Sequence, residues 1–317
     1  MLLFACFAQS LLTALCSCVK DEYEELTTDS LQTATDNGAN NGGNARNRQN
    51  GISYSVWKTG TNMVNKLTFE NANRSCQGTA IKDSIMFRLY NTGICQTFDI
   101  SNIYAPLPLH VFKLGAFRSN NHCNCAQFRT DNETTLLYVS GLYGKCYVEN
   151  ISEAASSLIQ TITVSNLSFL NNCKHYNLIP GDDAILWLLG GDSNTLYFAA
   201  LRRPELDEGN VTLTDEDVYD WWVELGYNYN ESVWQGGMVH EGKLYFVFGT
   251  TTSRSHLAIY DTYTHALITD IPLDDYVSEE PEDIDLLGDK IILTVNGGSG
   301  YYIISDDQAS GITLVTM

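Results

Sequence analysis

The feature that most restricts the fold of this chain is an internal repeat. Gln77-Gly78-Thr79-Ala80-Ile81-Lys82-Asp83-Ser84-Ile85-Met86-Phe87 aligns with Gln235-Gly236-Gly237-Met238-Val239-His240-Glu241-Gly242-Lys243-Leu244-Tyr245-Phe246. Both read as strand, two-residue turn, strand. After a gap each meets an aromatic-Asp turn, Thr97-Phe98-Asp99 and Ile259-Tyr260-Asp261, that closes a third strand. Weaker copies begin at His122, near Asp182 and at Glu280, so the starts lie about 45 to 60 residues apart. A unit of that size cannot bury its apolar face alone, and stacking such units predicts the four-stranded blades of a β-propeller. Five blades are counted. Six is the alternative, because the stretch 150–234 is long enough to hold another, and an open sandwich is the remaining one. The last unit is short, and the unclaimed run Lys66-Leu67-Thr68-Phe69 could supply its missing strand and close the ring.

Composition agrees with an all-β chain. Charged residues make up 18%, and 18 Tyr, 12 Phe and 5 Trp suit half-buried pleated strands. One segment reads as a short helical insertion near 214–223, where Thr214 and Asp217 form a capping box ahead of Val218-Tyr219-Asp220-Trp221-Trp222. The propeller domain is assigned to 52–317.

The net charge of −20 opposes contact with nucleic-acid phosphates and with anionic membrane surfaces. Nucleic acid is therefore set aside as a partner, and any membrane attachment should be covalent. Met1 to Leu15 is almost wholly apolar, the length of a signal-peptide core and too short to span a bilayer. Leu15-Cys16-Ser17-Cys18 resembles the bacterial lipobox, which makes residues 1–17 a lipoprotein signal peptide and Cys18 the lipidated mature N-terminus. Val19-Lys20-Asp21-Glu22 is similar to the signal that sends Bacteroidota lipoproteins to the outer face of the outer membrane. The expected location is therefore the cell surface, with the membrane as a partner through the lipid. A secreted or viral glycoprotein is the alternative, which sequons at Asn73, Asn132, Asn150, Asn166, Asn210 and Asn230 would fit. Residues 18–51, rich in Asp, Glu, Thr, Asn and Gly, read as a disordered tether.

Six cysteines follow Cys18, an even number that permits disulfides in an exported chain. Small buried hydrophobes in tight strands are the equal alternative. On a strand Cys123 and Cys125 would share one face. No second Cys or His pair at finger spacing accompanies them, so zinc is not assigned.

If the five starts are equivalent, each innermost strand opens with a polar residue: Gln77, His122 with Asn124, Asp182 with Asp183, Gln235, and Glu280 with Glu282. Polar groups converging on a channel can bind a small ligand, whereas hydrogen bonding to neighbouring blade backbones is their bland role. Glu279, Glu280, Glu282, Asp283 and Asp285 form the densest acidic run. Calcium is the cofactor such oxygens would take, but EF-hand spacing is absent and the run reads as a solvated loop. Gly191-Asp192-Ser193-Asn194 resembles the nucleophile block of SGNH hydrolases, yet it lies mid-chain between strands without a following Asp-x-x-His and reads as a hairpin turn. Asp182 or Asp183 with Glu280 or Glu282 is the one carboxylate pairing that glycoside hydrolysis could use. Trp221, Trp222, Trp234, Tyr227 and Tyr229 offer rings for sugars or for a core.

The runs Gln235-Gly236-Gly237, Asn121 to Phe128, Leu136-Leu137-Tyr138-Val139-Ser140, Val211 to Val218 and Glu280-Pro281-Glu282-Asp283-Ile284 resemble a group of uncharacterised Bacteroidota propeller lipoproteins over about residues 75 to 305. More distantly the chain is similar to six-bladed propellers of the glutaminyl-cyclotransferase type, in which a Glu-Pro-Glu-Gly run recurs; Asp283 stands here in place of that Gly. The resemblance implies a fold and a location, not a reaction. Two functions remain in view. One is a lipid-anchored binding module for a glycan or protein ligand. The other is a glycan-active hydrolase or lyase with carboxylates in the funnel.

Overall fold

The computed structural model describes residues 54–58, 65–69, 75–104, 106–117, 121–131, 134–152, 154–170, 173, 175–181, 184–225, 228, 233–296, 301–307 and 311–314. The expected signal peptide, Cys18 and the expected tether lie outside the described residues, as do Asp182, Asp183, Tyr227 and Tyr229. Among the described residues no helix is long and apolar enough to cross a membrane.

Strands β1 (Tyr54–Lys58) and β2 (Asn65–Phe69) come first. The first blade follows as β3 (Cys76–Lys82), β4 (Ile85–Tyr90), β5 (Ile94–Asp99) and β6 (Leu107–Lys113). The second is β7 (Cys125–Asp131), β8 (Thr134–Gly141), β9 (Lys145–Ile151) and β10 (Ser156–Val164). The third contains β11 (Tyr176–Pro180), β12 (Ile185–Gly191) and β13 (Thr195–Arg202); β14 (Val211–Leu213) then lies parallel on β10 before β15 (Val218–Leu225) completes the third sheet. The fourth is β16 (Trp234–His240), β17 (Lys243–Thr250), β18 (Ser253–Asp261) and β19 (Leu267–Pro272). The fifth is β20 (Pro281–Leu287), β21 (Lys290–Val295) and β22 (Tyr301–Asp307), with β23 (Gly311–Leu314) on the edge of β22.

Closure of the ring falls where the unclaimed run lies. Strand β2 pairs antiparallel with β22, Lys66 opposite Tyr302 and Leu67 opposite Tyr301, and β1 continues the sheet outward. Residues from the two ends of the chain therefore share one blade.

Side-chain alternation holds the blades together. Successive residues of a strand point to opposite faces, and the second strand of each blade feeds two different apolar clusters. Leu186 and Leu188 pack toward the second blade, Trp187 and Leu189 toward the fourth. Tyr245 and Val247 meet the fifth blade, Leu244 and Phe246 the third. Ile292 packs on Met86 and Phe98 of the first blade, while Ile291 and Leu293 pack toward the fourth. Phe87 and Leu89 join Leu137 and Val139 across the interface of the first two blades. Five sheets are thus joined by five apolar clusters, one per interface, and the fold is a five-bladed β-propeller with very few helical residues. The long stretch 150–234 holds the outer strand β10 of the second blade, the whole third blade and β14 rather than an additional sixth blade, and a closed ring replaces the open sandwich.

Four local expectations need correction. The acidic run expected as a solvated loop is, from Pro281 on, strand β20, with Glu282, Asp283 and Asp285 buried. The helical insertion is a three-residue 3-10 turn, Asp215–Asp217, with Thr214 N donating to Asp217 Oδ2 at 2.9 Å. Val218 onward is strand β15, because pairing with β13 brings Trp222 opposite Phe198. The third blade begins at Tyr176 rather than near Asp182, β11 running over Tyr176–Pro180. Cys123 and Cys125 do not share a face. His122 and Cys123 both have positive φ, 69° and 50°, which breaks the alternation. Cys123 packs with Ala80 and Cys95, and Cys125 with Ile179 and Phe246. The six cysteines after Cys18 are free thiols, five of them buried, so the small-hydrophobe reading of them holds. The turn Asp192 to Asn194 is a hairpin in which Asp192 Oδ1 accepts from Asn194 N and Thr195 N, both at 2.9 Å.

Candidate functional site

The five innermost strands, β3, β7, β11, β16 and β20, each touch the next around the axis, and β7 also approaches β16 and β20 across it. At the end where these strands begin, a polar residue next to the first residue of each is buried. Gln77 is 3% exposed, Asn124 3%, Asn177 4%, Gln235 6% and Glu282 2%. Buried polar groups must find partners, and these find one another. Gln77 Nε2 donates to Glu282 Oε1 at 2.9 Å, linking the first and fifth blades. Asn177 Nδ2 donates to the Gln235 backbone oxygen at 2.8 Å, linking the third and fourth. Asn124 Nδ2 lies 3.5 Å from Gln235 Oε1. Gln235 Nε2 reaches Glu280 Oε1 at 3.2 Å, and Asn296 Nδ2 holds Glu280 Oε2 at 3.0 Å. Glu280 is half-buried, so this last pair opens toward solvent.

His122 stands beside this array, two residues before Asn124. Its backbone N–H donates to Asn91 O at 3.0 Å and to Asn91 Oδ1 at 2.9 Å, which secures the left-handed conformation. Loss of hydration and the neighbouring His175 push its imidazole down to about 4, so the ring is neutral at physiological pH.

Beneath this polar layer the axis is packed shut. Asp283 Oδ2 accepts the N–H groups of Thr79 at 2.9 Å and Ala126 at 3.0 Å, so one carboxyl joins β20 to β3 and β7. Gln127 exchanges two hydrogen bonds with Val239, 3.0 and 3.2 Å, joining β7 to β16. Cys125 Sγ donates to Gly237 O at 2.8 Å. At the far end Arg129 Nε donates to Pro180 O and Gly181 O, and its Nη2 to Val239 O at 2.6 Å. Burial drives the Asp283 carboxyl well above the usual carboxylate range and brings Asp285 to about 7. The strands approach so closely that glycine is required: a Cβ on Gly78 would stand 2.3 Å from Cys123 O.

Six of the eight residues singled out from the sequence, Gln77, His122, Asn124, Gln235, Glu280 and Glu282, lie at this one end of the ring, and five of them share the hydrogen-bonded array. Asp182 and Asp183 lie outside the described residues, and Asn177 occupies the equivalent place on the third blade. Asn177 and Asn296 were missed. The signal for Asn177 was a polar residue directly before Leu178-Ile179, obscured by the polar pair that follows at Asp182 and Asp183. Of the described aromatic candidates, Trp234 is buried in the core and Trp222 lies partly buried and flat between Phe198 at 4.7 Å and His265 at 4.0 Å, whereas Trp221, stacked on Phe169, is exposed. Among the described residues no group of three His, Cys, Asp or Glu side chains is placed to hold a metal.

The chain is thus a five-bladed propeller whose axis carries, at the strand-start end, a largely buried layer of amides and carboxylates with Glu280 at its edge. No protein-family model and no curated protein sequence matches it. Among solved structures, the glutaminyl cyclase of Myxococcus xanthus superposes with a TM-score of 0.45 at 12% identity, covering 77% of this chain and 93% of that one. A GH43 glycoside hydrolase engineered for both endo-xylanase and exo-arabinofuranosidase activity gives 0.45 at 11% identity, over 83% of this chain and 54% of that one.

Proposed function

We propose that the chain is a non-enzymatic binding module that takes an uncharged, hydroxyl-rich ligand of the glycan class on the polar layer at the strand-start end. The observation that carries this reading is the state of its two carboxylates. Glu282 is held by Gln77, and Glu280 by Gln235 and Asn296, above an axis closed by Asp283, Gln127 and Gly236. Carboxylates fixed by amides form a rigid set of donors and acceptors for hydroxyls. They are poorly suited to cleavage, which needs one free acid and one free base or nucleophile facing each other across a bond. Their negative charge would also repel acidic sugars.

The reading is tested by calorimetric titration of a neutral glycan panel. Glu280→Gln keeps the shape and removes the charge; binding should weaken at least about tenfold, roughly 1.4 kcal/mol, with little change in melting temperature. Failure of every neutral glycan to bind at millimolar concentration would reject it.

The lipobox-like Leu15-Cys16-Ser17-Cys18, the following Lys20-Asp21-Glu22 and the resemblance to Bacteroidota lipoproteins support a module tethered to the outer face of the outer membrane. Cys18→Ala should move the protein from membrane to soluble fractions. Mass spectrometry finding Met1 intact, or cleavage elsewhere, would contradict the anchor.

A further inference from the structure

The apolar seam between the first two blades is sealed unevenly. Phe112 and Leu114 fill it at the strand-start end, where Leu114 N donates to Gly93 O at 2.9 Å. At the opposite end, where β3 finishes and β4 begins, a cleft of about 590 Å³ remains, within the size range of small-molecule sites. Phe87 and Phe128 line its buried side and meet edge to face with ring centroids 4.9 Å apart; Ile85, Ile151 and the exposed Leu109 continue the apolar wall. His110 also lines the cleft, and its backbone N–H donates to Thr97 Oγ1 at 3.1 Å, which ties β6 to β5 there.

The charge of this lining is opposite to that of the chain. Lys82, His110 and Ser152 are its polar members with Thr97, and among the described residues no carboxylate joins them, although the net charge is −20. Lys82 Nζ lies 5.9 Å from the centroid of the Phe128 ring and makes no ion pair among the described residues. An apolar hollow beside an uncompensated ammonium suits a ligand with an apolar body and one negative end. We propose that this cleft binds a small apolar carboxylate of the arylalkanoic class, its body against Phe87, Phe128, Ile85 and Ile151 and its carboxylate at the Lys82 ammonium. Because Lys82 is exposed, the ion pair contributes modestly and sets the preference for an acid, while apolar contact supplies most of the affinity. The cleft lies at the other end of the inner strands from the proposed glycan site, so either site can fail without the other.

The full chain is titrated at low ionic strength with phenylbutyrate, with the neutral phenylbutyramide and with the cationic phenylbutylamine, followed by ligand-observed NMR. The expected result is saturable binding of the carboxylate at millimolar concentration or below, severalfold weaker binding of the amide and none of the amine. Lys82→Met keeps the apolar stem and should erase the preference for the carboxylate over the amide. Leu109→Glu places a negative charge on the wall and should weaken phenylbutyrate at least tenfold. Both side chains are exposed, so melting temperatures should stay at the wild-type value. Absence of saturable phenylbutyrate binding at millimolar concentration would overturn the proposal, as would equal affinity of the wild type for acid and amide. Phenylbutyrate binding of full strength in both variants would overturn it too, by placing the ligand elsewhere.

Discussion

Gly236→Ala is expected to destabilise the ring by about 4 kcal/mol or more, beyond the usual range for adding one methyl group to a core. Overpacking is normally relieved by side-chain movement, but the new Cβ would meet the backbone oxygens of Asn124 and Glu282 at 2.5 Å and the fixed Asp283 carboxyl at 2.4 Å. These belong to strands β7 and β20, which are themselves locked by neighbouring blades. Relief would therefore require two blades to move apart. For a domain of this size the loss corresponds to a fall in melting temperature of roughly 10 °C. A Gly236→Ala variant that melts with the wild type would show that the inner strands are not packed as described.

The second large effect concerns closure. Lys66→Pro combined with Leu67→Pro removes both amides facing Tyr302 and Tyr301, so whichever of them donates to β22 is lost. With β2 detached, β1 has no sheet to join, and the fifth blade exposes the edge of β22. A propeller opened at one blade loses the cooperativity of a closed ring, and an unpaired edge promotes association. The expected outcome is a drop in melting temperature of about 10 °C or more, with a tendency to aggregate. The same pair of changes in an open sandwich would trim a peripheral strand and cost little.

Much of this architecture was legible because it repeats. Gln77-Gly78 and Gln235-Gly236 mark the same place in two blades: a polar residue that faces the axis and a glycine where inner strands crowd. The run Lys66 to Phe69 could be assigned to the last sheet because a ring leaves no other vacancy for a lone strand. Failures came where local signals were outweighed by tertiary pairing. Thr214 and Asp217 do make a cap, but Val218 and the two tryptophans that follow are β-forming residues paired with β13, and Trp222 stacks on Phe198. The third blade was misplaced because Asp182-Asp183 is a stronger polar mark in the sequence than Asn177, the residue at the start of β11 that reaches Gln235. Cys123 defeated the two-residue period because two consecutive left-handed residues precede the strand. The role of Asp283 could not be read from its neighbours in sequence, since its partners Thr79 and Ala126 stand 204 and 157 residues away.

Whether the polar layer binds without cutting is measured most directly by incubating the full chain with a neutral glycan panel and recording, in the same samples, bound ligand and newly formed chain ends. Saturable binding that weakens in Glu280→Gln, with no new reducing ends or unsaturated products after prolonged incubation, is the expected result. Product formation that disappears on changing Glu280 or Glu282 would contradict it and make those carboxylates catalytic.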